Sequence, residues 1–381
     1  LLLGASPKDY DVATDATPKQ VANLFRFTRH VGAAFGVMLV REAGAWHEVA
    51  TFRADGPYLD GRRPSQVHFT DARQDALRRD FTVNGMFLDP LTRQIIDYVG
   101  GQVDLAQRCI RAIGVAADRF AEDYLRVLRA VRFAARLGFD IEPATIAALR
   151  NNAPNLATVS AERVREELDK MLSHPTRGRA VRLLRYGGVM PHLWPAAEWG
   201  ESSLDHGVEL LEKLPRDSAF ATALAALLHD RERSALERIA RKLTLSNDER
   251  DALLWLVSQQ SSLDDAGAMS LAAFKRAMAH RFFPELRMFV DARFALMPDG
   301  VDRARVIEHR VAAIDPARVA PPAWVTGEDL IGRGLSPGPA FREILDEVYT
   351  RQLDERIHSR DEALQLVDDL IRIRAHRGDH A

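Results

Sequence analysis

Cysteine is almost missing from this chain: Cys109 is the only one in 381 residues. That excludes a disulfide framework or a multi-cysteine zinc site within one chain, and it fits a reducing cytoplasm. No apolar run is long enough to span a membrane, and no signal peptide is visible. Excess charge is missing too. The net charge of −2 leaves no global basic field, so any nucleic-acid partner must be held by a local basic face. Lysine is scarce beside arginine, a bias toward planar, two-pronged phosphate contacts that genome composition could also produce. What remains is ordinary. Hydrophobic residues make up 46% and charged residues 28%, the composition of a soluble globular protein. The length exceeds what one core normally holds, so two or more domains are expected.

The strand-like material lies in residues 1–100. Val31–Val40 is apolar and glycine-punctuated, Trp46–Phe52 alternates, and Glu42–Ala45 between them reads as a hairpin turn. Ala54–Pro64 is dense in Gly, Pro and Asp, the composition of a mobile loop. Residues 17–27 and 71–86 read as helical, and Ile95–Val99 as a last short strand closed by Gly100 and Gly101. From about residue 118 the pattern becomes helical. Phe120–Gly138 is one strong amphipathic helix with Gly138 as its stop. Helical periods follow at 143–151, 160–172, 177–186, 205–214, 218–230, 232–242, 247–260, 270–281 and 301–314. Pro316–Pro322 is a proline-marked linker, and two helices close the tail. The layout is a small α/β head followed by a long all-α body.

Several stretches carry chemistry. In Pro7-Lys8-Asp9-Tyr10-Asp11-Val12, an extended strand would point Asp9 and Asp11 the same way, a carboxylate pair suited to magnesium. Glu48, on a strand that could lie beside them, would complete a set suited to two-metal phosphoryl transfer; a solvent-facing strand glutamate is the competing reading. In Arg78-Arg79-Asp80-Phe81-Thr82-Val83-Asn84 the arginines can take phosphate oxygens, while Asp80 and Asn84, one turn apart, can reach a ribose hydroxyl or nearby backbone. In Glu122-Asp123-Tyr124-Leu125-Arg126, Asp123 and Arg126 share a helix face. An acceptor beside a fork of donors matches the amine and ring nitrogen that cytosine and adenine share, and mismatches the carbonyl of guanine and uracil. A plain helix ion pair uses the same spacing. Arg129, Arg132 and Arg136 continue a basic stripe open to phosphate contact or solvation. His206 and His229-Asp230 have the look of an HD-type metal site, but Arg231-Glu232-Arg233 follows where a glycine and a lysine are expected, which favours a relic packed as polar core.

The order LLLGASPKDYDVAT, HEVATFRADGPYLDGRRP, RRDFTVNGMFLDP, IIDYVGG, RFAEDYLRVLRAVRFAARLGF, SAERVREELDKML resembles the bacterial class II nucleotidyltransferases. That family holds tRNA CCA-adding enzymes, their CC-adding and A-adding relatives, and bacterial poly(A) polymerases. The likeness is strong over residues 1 to about 195 and looser in the tail. It implies a polymerase-β-like nucleotidyltransferase head at 1–117, a neck at 118–195 that binds nucleotide and RNA, a body at 196–315 and a tail at 316–381. It implies a template-independent RNA nucleotidyltransferase acting on the tRNA 3′ end with CTP and ATP. Asp9 and Asp11 would bind the catalytic magnesium ions, with Glu48 as third acid. Arg78, Arg79, Asp80 and Asn84 would contact the nucleotide's ribose and phosphates or brace those that do. Glu122, Asp123 and Arg126 would read the incoming base. Asp97, Gly100 and Gly101 would lie near the head-to-neck junction.

The family's Gly-Gly-x-Val-Arg-Asp segment would fall just upstream of Leu1, so the chain, which opens without Met, reads as truncated at its N-terminus. Gly85 stands where alanine commonly follows the motif's Asn. The segment from Arg53 to Pro64, with Arg53, Asp55, Arg62 and Arg63, resembles the flexible loop of enzymes that add the terminal A, which disfavours CC-only addition. Gly36 in Phe35-Gly36-Val37 resembles CCA-type members more than poly(A) polymerases. CCA addition is therefore expected. An A-adding enzyme, a poly(A) polymerase and a catalytically dead RNA-binding protein are the alternatives.

Overall fold

The computed structural model describes all residues except 1, 5, 8–9, 33–34, 57–65, 195–200 and 379–381, and no side chains at 201–202 or 375–378. Contacts divide the chain into two units. One takes residues 1–208 and 234–247; the other takes 209–233 and 248–381.

The first unit opens with a four-stranded sheet. Its strands are β1 (Val12–Thr14), β2 (Thr28–Gly32), β3 (Val37–Glu42) and β4 (Ala45–Thr51), in the order β1-β4-β3-β2. β1 runs parallel to β4, and the other pairs are antiparallel. Alternation buries Met38 and Val40 on β3 and Val49 on β4 against Val21 of α1 (Pro18–Leu24). Thr17 caps α1 through a reciprocal box with Gln20. The apolar run 31–40 takes in the end of β2 and the start of β3, and Gly36, just before β3, has φ +81°. A Cβ at Gly36 would stand 2.9 Å from the Phe69 ring, so both conformation and space demand glycine there.

Two short ladders follow, β5 (Arg53–Asp55) with β6 (Val67–Phe69) and β7 (Met86–Leu88) with β8 (Ile95–Asp97). Between the ladders, α2 (Ala72–Leu77) ends well short of the expected 71–86 span. The chain leaves the helix because Phe81 bridges to Ala112, with Thr82 N–H donating to Arg111 O and Ile113 N–H to Asp80 O. A 3₁₀ turn at Thr82–Asn84 completes the segment. Next come α3 (Gly101–Ala106) and β9 (Cys109–Ile110).

The expected single helix 120–138 is also two. α4 (Ala116–Glu122) stops at Asp123, whose backbone is extended, and α5 (Arg126–Leu137) restarts and ends at left-handed Gly138. The carboxylate of Asp123 accepts the Leu125 N–H at 3.0 Å. A side chain that bonds backbone two residues on competes with continued helix. The short β10 (Asp140–Ile141) pairs with β9, and then come α6 (Pro143–Asn152), α7 (Ala161–Leu172) and α8 (Arg177–Tyr186). α5 buries Val127, Leu128, Val131 and Ala135 and packs on α7 and α8. Ser160 stands at the N-cap position of α7, but its side chain makes no capping bond.

The second unit is helical. It includes helices at 271–278, 300–313, 339–353 and 360–378, and one at Phe283–Phe294 that the sequence periods left out. Val325, Leu330, Ile344, Val348 and Val367 form a core in its tail. No helix among the described residues is long and apolar enough to cross a membrane.

Candidate active site

A cleft of about 610 Å³ in the first unit gathers the chemistry-bearing side chains. Asp11, Arg53, Asp55, Arg78, Arg79, Asp80, Asn84, Asp123 and Arg126 all line it, and the sequence had singled out each of them. Asp11 does not sit within a strand as expected: β1 begins at Val12, so Asp11 stands just before it, exposed at the cleft. Asp9 lies outside the described residues, as do Arg62 and Arg63. The parallel pairing of Val12 with Val49 brings the Asp11 and Glu48 positions side by side, although Glu48 itself is exposed and does not line the cleft.

The Arg78–Asn84 stretch is a tight electrostatic knot. Arg78 and Arg79 both donate to the Asp75 carboxylate, at 2.6 and 3.0 Å for their Nη2 groups. Asp75 is buried, and the sequence reading missed it. Its signal was the i, i+3 and i, i+4 spacing to two arginines. Asp80 is largely buried at the wall of the cleft. It accepts Phe81 N–H at 2.9 Å, Asn84 Nδ2–H at 3.0 Å and the Arg129 guanidinium at 2.7 Å. Burial disfavours its charge, but Arg129 and the Asn84 amide outweigh that and hold its carboxyl below the usual range. Arg132 bonds the buried Glu167 on α7, Arg129 pairs with Asp80 and also lines the cleft, and Arg136 is exposed.

Asp123 and Arg126 share the cleft but not a salt bridge, because the helix breaks between them. Asp123 takes Arg163 of α7 at 2.6 Å. Arg126 donates to Arg119 O and to Glu122, and more distantly to Arg78 O at 3.3 Å. Glu122 therefore braces Arg126 and does not line the cleft. Arg163 was a second omission of the sequence reading, since nothing local ties it to a residue forty positions away. At the loop base, Arg53 Nε lies 3.1 Å from Asp55 Oδ1, and Arg78 Nη1 lies 3.7 Å from Asp55 Oδ2.

Asp97 collects backbone N–H groups of Val99, Gly100, Gly101 and Gln102 at 2.9–3.0 Å. Burial opposes its charge, yet these bonds hold its carboxyl below the usual range. A Cβ at Gly101 would stand 2.3 Å from Thr82 O, so this turn docks directly on the Arg78–Asn84 segment. At Gly85 a Cβ would meet Val99 Cγ2 at 2.7 Å, which accounts for glycine in place of alanine. His229 Nδ1 lies 3.2 Å from Ala226 O, and Asp230 pairs with Arg231. Among the described residues no group of three or more His, Cys, Asp or Glu is placed to hold a metal.

Residues 1–111 match the family described as poly A polymerase head domain, and residues 138–199 match the probable RNA and SrmB-binding site of polymerase A. A CCA-adding enzyme of Geobacillus kaustophilus is 32% identical over 376 residues, spanning 96% of this chain and 89% of that one. The chain belongs to the CCA-adding enzyme family. A CCA-adding enzyme of Streptococcus mutans is 42% identical over 224 residues, which takes in 58% of this chain and 55% of the relative, about half its length. The solved CCA-adding enzyme of Bacillus stearothermophilus in complex with CTP superposes with a TM-score of 0.80 at 27% identity, covering 100% of this chain and 92% of that one. The α/β head with helical segments behind it is thus the fold of CCA-adding enzymes. The family implies a divalent metal. The oxygen donor of Asp11 at the open cleft, beside the Glu48 position, suits a hard cation that keeps room for phosphate ligands.

Proposed function

We propose that this protein is a template-independent RNA nucleotidyltransferase that adds C, C and A from CTP and ATP to the 3′ end of tRNA, and that its divalent metal is magnesium. The reading is carried by one cleft that holds a metal-type carboxylate, an arginine pair and a base-edge pair together. Membership of the CCA-adding enzyme family supports it. Asp9 and Asp11, with Glu48 as third acid, would hold the ion, which would neutralise charge on the nucleotide's phosphates and make the tRNA 3′-hydroxyl a better nucleophile at the α-phosphate. Arg78 and Arg79 turn N–H groups toward phosphate oxygens. Asp123 accepts the exocyclic amine of cytosine or adenine, and Arg126 donates to the adjacent ring nitrogen. Arg163 and Glu122 hold these two side chains in place. Asp80 and Asn84 work indirectly, by fixing the turn that carries the arginines. Arg53 and Asp55, on β5, precede the segment that bears Arg62 and Arg63, and all four act on the nucleotide together. The proposed layout is head 1–117, neck 118–195, body 196–315 and tail 316–381. The helical segments grip tRNA by shape and phosphates, so affinity falls with added salt. The single cysteine fits a reducing cytoplasm.

The test uses tRNA ending before CCA, with CTP and ATP offered separately and together. Orderly addition of C, C and A followed by a stop supports the proposal. Long A tracts would reassign the protein as a poly(A) polymerase, and addition of A only to a CC end would reassign it as an A-adding enzyme.

A further inference from the structure

Asp75 is 2% exposed, yet it sits between two cations of the cleft. Its Oδ1 accepts Arg78 Nε–H at 2.9 Å and Nη2–H at 2.6 Å, and its Oδ2 accepts Arg79 Nε–H at 3.2 Å and Nη2–H at 3.0 Å. Each guanidinium thus converges two N–H groups on one oxygen, so a single carboxylate restrains both cations side by side. Oδ1 also accepts the backbone N–H of Arg53 at 3.2 Å, at the first residue of β5. Arg78 Nε–H reaches Arg53 O at 3.1 Å, and Arg79 Nη1–H reaches Asn84 O at 3.0 Å. A guanidinium has five N–H donors. These bonds leave N–H groups on both arginines, and both side chains line the cleft. Without the carboxylate, two adjacent guanidiniums would repel and splay, and the strand leading into residues 57–65 would lose a tie.

We propose that Asp75 is a positioning residue that holds Arg78 and Arg79 side by side for the phosphates of the incoming nucleotide, and that it also anchors β5 to the same point. This rests on the nucleotide-binding reading of the cleft. Asp75 touches no substrate; it acts through the two arginines. Because Asp75 bonds Arg78 and Arg79 but neither Asp123 nor Arg126, it governs how tightly a nucleoside triphosphate is held and not which base is chosen.

The decisive variant is Asp75→Asn. An amide keeps one acceptor and turns an NH₂ toward the second guanidinium, so one arginine loses its partner at little change in volume. Equilibrium binding of CTP and of ATP to the intact chain, with magnesium and without tRNA, is expected to weaken about tenfold or more for both alike. In steady-state assays on tRNA the loss should fall mainly on KM, and preference for CTP and ATP over UTP and GTP should be unchanged. Unchanged CTP affinity in a folded Asp75→Asn protein overturns the proposal, and so does a loss confined to one base. If Asp75→Asn lacks the native circular-dichroism spectrum, Asp75→Glu decides. Its carboxylate stands one methylene too far out to bond both guanidiniums, and unchanged CTP affinity there is equally fatal. A wild-type chain that binds CTP but adds nothing to tRNA would sink the tRNA reading and leave this one standing. A wild-type chain that binds no nucleotide sinks both.

Discussion

Asp123→Asn puts the base-reading geometry under the sharpest test. In the native protein Oδ2 of Asp123 accepts Arg163 at 2.6 Å and Oδ1 accepts Leu125 N–H at 3.0 Å. A carboxylate offers about four lone-pair sites, so about two remain for a base amine. The Asn amide has only one oxygen. If it faces Arg163, the NH₂ meets the Leu125 N–H; if it faces Leu125, the NH₂ meets the guanidinium. Either way a donor replaces an acceptor toward the cleft. Losing one hydrogen bond to a charged acceptor costs about 1.5–3 kcal/mol. That corresponds to about a 10- to 150-fold lower kcat/KM for both CTP and ATP. UTP and GTP gain, because their carbonyl now meets a donor where it met a carboxylate. The assay is single-nucleotide incorporation on tRNA ending before CCA, with each triphosphate alone. An unchanged ratio of CTP to UTP use would refute base reading by Asp123, whatever happened to the overall rate.

Asp11→Asn should abolish transfer by about a hundredfold or more, while stability stays within about 0.5 kcal/mol because the residue is exposed; retained activity in quench-flow would remove Asp11 from the site. Gly101→Ala drives a methyl to 2.3 Å from Thr82 O and 2.7 Å from Met86 Cγ, so calorimetry should show destabilisation by about 1–3 kcal/mol; a wild-type melting profile would contradict the close approach. Asp80 and Asp97 both have carboxyl pKa values held below the ordinary range. A depressed folded value stabilises the fold fully above the unfolded value of about 4, and that stabilisation is lost as pH falls through the folded value. Stability of the wild type should therefore drop on acidification below about pH 4. The drop should be shallower in Asp97→Asn, and equal slopes by circular dichroism would show that Asp97 contributes nothing.

The sequence by itself determined a great deal here. Apolar alternation located β3, β4 and β8 in the head, helical periods located most helices behind it, and short motifs named every charged or amide side chain that lines the cleft except Arg163. These are local signals, and local spacing is enough to carry them. The acids before β1, the Arg78–Asp80 run and the Asp123–Arg126 pair were legible because their chemistry lies within a few residues. Tertiary structure decided what spacing could not. It broke the helix at Asp123, where one carboxylate oxygen takes the Leu125 N–H and the other is held by Arg163 of α7. It ended α2 early because the chain pairs with residues 111–113. It paired Asp80 with Arg129 and the buried Arg132 with Glu167, and it raised Asp75 from a helix residue to the hub of two arginines. Which charges face a ligand and which face each other depends on long-range neighbours in a low-dielectric setting. A linear pattern of acids and bases carries no information about that choice until the helices are packed.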